Sequence, residues 1–188
     1  MKKTSLFSAF PYIRTDEITL RKIEKSDVDE LFSIYNNENI FRFRLGEVRK
    51  NKSAVENMIT HFERDFGKKK IIYLGICSNE NAGRIIGVAE IFDFDEKVNM
   101  DTIGYTLSEN YWGQGYAAKT VNALCGFLFD TADINRIQAF VMPANVRSGN
   151  VLLKNGFLKE GTIRQGAFWT GRGVVDLDLY SLLKSDVI

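Results

Sequence analysis

The residues from Trp112 to Thr120 read Trp-Gly-Gln-Gly-Tyr-Ala-Ala-Lys-Thr: two glycines one residue apart, then alanines that favour a helix. Such a run suits anion binding. The first N–H groups of a helix lack partners inside it and carry partial positive charge. Glycines ahead of them let a phosphate approach the backbone closely. A tight turn without a ligand has the same composition, so the neighbours must decide. A Walker phosphate loop needs a glycine directly before Lys119-Thr120, and Ala118 stands there. The dinucleotide pattern matches Gly113, Gly115 and Ala118 but wants an acid at the end of the next strand. Asp133 precedes that strand, which ends Phe140-Val141-Met142. Both nucleotide readings weaken.

A turn of this kind needs a strand before it and a helix after it. Residues 18–23 alternate with period two, a strand. Ser26 with Asp29 reads as a capping box before the helical stripe Val28, Leu31, Phe32 and Tyr35. Ser53 with Glu56 reads as a second box, opening a helix through Val55, Met58, Ile59, Phe62 and Phe66 that Gly67 stops. Strands at 70–77, 84–94 and 102–107 are joined by gaps too short for helical crossovers, the first of them turn residues 79–83, so they form an antiparallel meander. A helix over 113–129 and a strand over 136–142 follow, then a short helix over 146–154 closed by Asn155-Gly156. Strands near 158–168 and 174–183 flank the hairpin loop Thr170-Gly171-Arg172-Gly173. Strand 102–107, the helix and strand 136–142 make a crossover, so those two strands run parallel. The expected fold class is α/β (α+β): a mixed, mostly antiparallel sheet with helices on both faces, in one domain over residues 1–188.

The bulk composition narrows the partners. At 188 residues with 45% hydrophobic and 12% aromatic side chains, the chain can bury a core and is not disordered. A net charge of +1 implies no general attraction to nucleic acid or anionic membrane, so any anion site is local. The basic start, residues 1–5, never builds the apolar core of a signal peptide, and no stretch reaches the roughly 18–20 apolar residues of a membrane span. Cys77 and Cys125 lie in separate apolar runs and read as buried thiols of a reducing, cytoplasmic protein, although a disulfide between them is the alternative. His61 is the only histidine, so no metal site is expected.

The chain resembles the GNAT superfamily of acetyltransferases, in its RimJ/RimL-like branch. The resemblance is carried by Ile103-Gly104-Tyr105-Thr106-Leu107, Tyr111-Trp112-Gly113-Gln114-Gly115-Tyr116-Ala117, Asn135-Arg136-Ile137 and Pro143-Ala144-Asn145-Val146-Arg147-Ser148. Leu152-Leu153-Lys154-Asn155-Gly156-Phe157, Glu160-Gly161, Gly171-Arg172, Asp176 and Tyr180 continue it, and Pro11, Thr15 and Leu20-Arg21 fit the opening. Each piece is weak alone; their order and spacing are specific. The resemblance implies acetyl-CoA as co-substrate, without a metal, and central parallel strands that splay to admit the pantetheine arm. It implies that Leu107 offers backbone to pantetheine, that Trp112, Gly113, Gln114, Gly115, Tyr116, Ala117 and Ala118 form the pyrophosphate turn, and that Asn145 holds the opposite wall. Direct attack of an amine on the thioester in a ternary complex is the expected reaction. A non-catalytic acyl-CoA-binding module on the same fold is the alternative.

Two departures bear on the chemistry. Many superfamily members protonate the leaving thiolate with a tyrosine four residues before the glycine of the Gly-Phe pair, and here that position is Leu152. The branch offers instead the serine of its Asn-x-x-Ser motif, so Ser148 is the candidate general acid. A glutamate often precedes the Ile-Gly-Tyr run, and here Thr102 stands there. Asp101 would replace it only if a bulge turned it to the same face. Glu90 and Asp93 on the neighbouring strand are the other candidate bases.

The acceptor is expected to be a small-molecule amine or a protein N-terminus, with no nucleic acid or membrane partner; a homodimer is compatible with the sequence. An α-amine is roughly 10–15% neutral at pH 7 and a lysine about 0.04%, so a weakly based site favours α-amines. Phe41, Phe43 and Leu45, interleaved with Arg42 and Arg44, read as a segment covering the acceptor cleft. Phe168 and Trp169 either line the amine pocket or pack in the core.

Overall fold

A computed structural model describes residues 6–80 and 83–187. The basic start (residues 1–5) and positions 81 and 82 of the turn after the first meander strand lie outside them. In chain order the strands are β1 (Ile13–Arg14), β2 (Ile18–Lys22), β3 (Ile72–Ser78), β4 (Ile85–Asp95), β5 (Met100–Leu107), β6 (Arg136–Val141), β7 (Leu158–Trp169) and β8 (Gly173–Leu183). The α-helices are α1 (Val28–Tyr35), α2 (Lys52–Gly67), α3 (Tyr116–Gly126) and α4 (Val146–Lys154). All eight strands form one sheet in the order β1-β2-β3-β4-β5-β6-β8-β7. Every neighbouring pair is antiparallel except β5 and β6.

The helices divide between the faces because their apolar stripes do. Val121, Leu124 and Leu128 of the α3 segment pack with Leu20, Leu74, Ile103, Ile137 and Leu182, and Leu152 of α4 joins the same core. Leu31, Ile34 and Tyr35 of α1 pack on the other face with Val55, Ile59 and Phe62 of α2, against Ile23, Cys77 and Val88. Each of these buried aliphatic side chains contributes roughly 1.5–3 kcal/mol. The two cysteines fall in opposite cores, and both are free, buried thiols.

The central feature is a gap. β5 and β6 pair only at Met100–Arg136, Asp101–Ile137 and Thr102–Gln138. Beyond that point β5 stays bonded to β4 as far as Leu107, and β6 stays bonded to β8 as far as Val141. Each wall is held from outside, so the strands diverge into a wedge. The crossover that joins them sets α3 on one side of its open end, and α4 packs against α3 on the same face.

Some helix boundaries differ from the sequence expectation for local chemical reasons. α1 follows a 3₁₀ turn, Lys25–Asp27, where the Asp27 carboxylate accepts the Glu24 N–H at 2.7 Å while also pairing with Arg21; Asp27 gives α1 itself no side-chain cap bond. That buried ion pair outcompetes the exposed Ser26 box. In the second helix Asn51, not Ser53, is the cap, accepting from the Ala54 N–H at 2.9 Å. That helix runs through Gly67, and the left-handed residue after it is Lys69 at φ 54°. The third begins at Tyr116 and ends in a π-turn over Phe127–Thr131, shorter than the span 113–129. The segment between α1 and α2 is a loop with one 3₁₀ turn, Ile40–Arg42, pinned by the buried Ile40 and Phe41.

Candidate functional site

The glycine turn closes the open end of the wedge. Gly113 and Gly115 adopt φ of 76° and 85°, a left-handed region that costs other L-residues roughly 1–2 kcal/mol. Gly115 is the N-cap residue of α3. An added Cβ at Gly113 would meet nothing within 4 Å, and at Gly115 only the Lys119 side chain at 3.8 Å. Open space therefore lies over unpaired helix-start N–H groups, as a phosphate cradle requires. The Gln114 side chain is tied back to the Asn110 carbonyl at 2.7 Å, which leaves its backbone to face a ligand. Lys119 adds a cation beside the turn: its Nζ sits 2.5 Å from Glu17 and 5.1 Å from the centre of the Tyr116 ring. Asp133, the acid weighed for a dinucleotide, pairs instead with Lys184 in the loop before β6.

The strand edge facing the gap follows from register. The Ser108 N–H donates to the Ile86 carbonyl at 2.8 Å. Antiparallel pairing alternates, so Thr106 and Gly104 also bond toward β4, while Tyr105 and Leu107 turn their N–H and C=O groups toward β6. The β6 ladder has already ended there. Trp112 seats its indole on this edge, donating to the Leu107 carbonyl at 2.9 Å. The turn and the strand edge thus form one continuous polar track of backbone groups.

Across the gap, α4 starts at Asn145, whose side chain accepts from the Ser148 N–H at 3.3 Å. Its NH₂ group is the part able to donate to a ligand. Ser148 projects back across the wedge, its hydroxyl 2.7 Å from that of Tyr105. Burial raises the pKa of the Tyr105 phenol, and the Ser148 hydrogen bond partly offsets this. Tyr105 belongs to the Ile103–Leu107 run, in which the sequence suggests no role for its side chain. The signal was present, since positions 103, 105 and 107 share one face and one backbone direction.

The other face carries a charged cluster. Arg44 reaches from the loop before α2 to donate from Nη2 to Glu90 Oε1 at 2.8 Å and from Nε to the Thr106 hydroxyl at 3.0 Å. Burial works against the Arg44 charge, yet Tyr35 and Glu90 outweigh it and raise its pKa. Glu90 lies beneath Gly104, where an added Cβ would stand 3.5 Å from its Oε2. Opposite, Gln138 donates to the Thr102 hydroxyl at 3.1 Å. Arg172 in the last hairpin loop donates to the Arg42 carbonyl at 3.2 Å and stacks on Trp169. Trp169 is buried and Phe168 exposed, so of the two aromatics it is Trp169 that packs inward.

Asp101 is not brought to this place. The irregularity in the β4–β5 ladder falls between Phe92 and Asp95, on β4, where Asp93 takes φ 54°. β5 itself stays regular, so Asp101 and Thr102 keep to opposite faces. The Asp101 carboxyl is buried beside a small cavity lined by Leu6, Phe94 and Ile134, roughly 13 Å along the strand from Tyr105. Among the described residues no cluster of histidine, cysteine and carboxylate side chains could hold a metal ion, and no helix is long and apolar enough to cross a membrane.

An open glycine turn, a strand edge whose partner ladder has ended and a pair of hydroxyls at its inner end thus lie along one wedge. A family model described as acetyltransferase (GNAT) domain matches residues 17–158. The chain is 29% identical over 175 residues to the uncharacterized N-acetyltransferase YoaA of Bacillus subtilis, covering 93% of this chain and 98% of that one. It superposes on the Microcin C7 self immunity acetyltransferase MccE, solved with acetyl-CoA and AMP, with a TM-score of 0.80 at 25% identity, covering 90% of this chain and 93% of that one. RimL, a ribosomal L7/L12 alpha-N-protein acetyltransferase solved with coenzyme A, shares the fold with a TM-score of 0.79 at 20% identity, over 92% of this chain and 98% of that one. The chain belongs to the GNAT acetyltransferase family and is an acetyl-CoA-dependent N-acetyltransferase.

Proposed function

We propose that this enzyme acetylates α-amines, either protein N-termini or small-molecule amines, by direct attack while donor and acceptor are both bound. Acetyl-CoA supplies an activated acetyl group on a thiol that leaves. In this reading the N–H groups from Gln114 to Ala118 hold the diphosphate in the Trp112–Gly113 turn, Leu107 bonds the pantetheine arm, and Asn145 donates to it from the far wall. Ser148, at the inner end, gives a proton to the departing sulfur. The two free thiols suit a reducing, cytoplasmic setting.

One observation carries the choice of acceptor. Glu90 commits Oε1 to Arg44 at 2.8 Å, while Asp101 is buried at the far end of β5. Neither is offered to an incoming ammonium, and deprotonating a lysine at pH 7 costs roughly 4–5 kcal/mol. An α-amine, roughly 10–15% neutral at that pH, needs far less help. RimL is described as an alpha-N-protein acetyltransferase, which agrees with this reading. Thiol release from acetyl-CoA, compared on a peptide with a free N-terminus and on a blocked peptide with one lysine, tests it. A faster rate on the free N-terminus is expected; preference for the lysine overturns it.

A further inference from the structure

Ser148 does not behave like three other helical hydroxyls of this chain. Ser33 donates to the Glu30 carbonyl, Thr60 to the Glu56 carbonyl and Thr120 to the Tyr116 carbonyl, each within its own helix. That local back-bond is the ordinary fate of a helical hydroxyl. Ser148 forgoes it. The Asn145 carbonyl behind it already accepts from the Ser148 and Gly149 N–H groups, and the hydroxyl instead crosses the wedge to Tyr105 at 2.7 Å. The next residue keeps α4 low enough for this: a Cβ at Gly149 would stand 2.7 Å from the Tyr180 hydroxyl. Thus Ser148 meets Tyr105 on the opposite strand, while its neighbour Gly149 sits against Tyr180.

We propose that Tyr105 is a positioning residue for acetyl transfer, donating its phenolic hydrogen to Ser148 Oγ so that the serine hydrogen points at the leaving sulfur. A phenol is more acidic than an aliphatic alcohol and is the better donor of the pair. Its hydrogen bond fixes a rotor that would otherwise turn toward backbone. The step balances. The amine nitrogen bonds the acetyl carbon, the C–S bond breaks with its pair remaining on sulfur, and the Ser148 proton moves to that sulfur. Serine is reprotonated from Tyr105, and the phenolate recovers, through water, the proton shed by the acetylated nitrogen. Net transfer is one proton from nitrogen to sulfur. This rests on Ser148 being the acid proposed above.

The experiment compares Tyr105→Phe, Ser148→Ala and the double variant, each with calorimetric affinity for coenzyme A. Tyr105→Phe keeps the ring and is expected to lower kcat about tenfold, part of the roughly 10²–10⁴ that a positioned acid contributes. Amine KM and coenzyme affinity stay within about twofold. The double variant is no slower than Ser148→Ala, because Tyr105 acts only through Ser148. A second readout needs no turnover: in ring-labelled tyrosine NMR of the free enzyme, with Tyr105 assigned by its Phe variant, Ser148→Ala raises the Tyr105 titration midpoint. Multiplying losses in the double variant, or an unmoved midpoint, overturns the role of Tyr105 while leaving Ser148 as acid. An unchanged kcat in Ser148→Ala overturns both.

Discussion

The two sides of the wedge are built from different materials. The proposed coenzyme side is backbone: left-handed glycines at 113 and 115, helix-start amides, and the gap-facing groups of Tyr105 and Leu107. The proposed acceptor side is side chain, gathered from segments far apart in sequence. Arg44 meets Glu90 and Thr106, Asn37 and Asn39 bond Glu109, and Arg172 reaches the Arg42 carbonyl. A backbone site depends on turn geometry and strand register, so it tolerates change in most side chains while a few positions stay intolerant. A side-chain site can be rebuilt residue by residue without disturbing the donor's binding.

The strongest way to break this division is at Gly115. Gly115→Asp forces an L-residue to φ 85° and sets a carboxylate where a diphosphate would lie. Strain of roughly 1–2 kcal/mol and the loss of a charge-assisted contact together predict about a hundredfold weaker coenzyme A binding by calorimetry. Undiminished affinity would place the coenzyme elsewhere.

Gly87→Ala comes next and strikes between the two sides. Its Cβ would stand 2.4 Å from the Thr106 carbonyl oxygen and 2.7 Å from a Leu107 methyl carbon. Backbone must move, at a cost of about 1–3 kcal/mol in urea unfolding. Because the displaced strand is the proposed coenzyme track, affinity for coenzyme A should fall with stability.

Arg44→Met tests the acceptor side alone. With its cation gone, Glu90 is released beside Gly104, on the proposed acceptor face. The ratio of lysine to α-amine turnover should rise at least about tenfold, short of the roughly 10²–10⁴ of a tuned base. Coenzyme affinity should hold within about twofold. A fall in that affinity would mean that the two sides are not separable.

The same division sets what the sequence could reveal. The mixed sheet, the parallel pair and the glycine turn were legible because periodicity, short connections and φ-permissive residues act locally, whereas the gap was expected only from the family resemblance. The order β6-β8-β7 was not, since no local pattern says that the final strand inserts between two earlier ones. Ser26 and Ser53 were read as caps because a capping box is a local signal, yet Asp27, paired with Arg21, takes the Glu24 N–H in the 3₁₀ turn before α1. Arg44 gave no sign that it would meet Glu90, 46 residues away. Tyr105 stood in a recognised motif, but only the chain's return through α4 brings Ser148 to it.

The smallest expected effect concerns the closed end of the wedge, which must stay shut for the rest to open. There Arg136, at the start of β6, pairs with Glu160 at 2.7 Å, and Ser181 donates to the same carboxylate at 2.6 Å. These two, Arg136 first, lower the Glu160 pKa from the ordinary 4.5 to about 2. A depressed carboxylate stabilises the fold above its unfolded pKa, and that contribution fades as pH falls through the folded one. Glu160 is 40% exposed, so solvent screening keeps the pair's worth below about 1 kcal/mol. Glu160→Gln should therefore be less stable than the parent by that small amount at pH 7. The difference should shrink between about pH 4.5 and pH 2, the interval of the shift. Urea midpoints at pH 7 and pH 3 measure it. A gap that widens toward acid would mean that Glu160 is held protonated, and that something other than Arg136 ties β7 to β6 across β8.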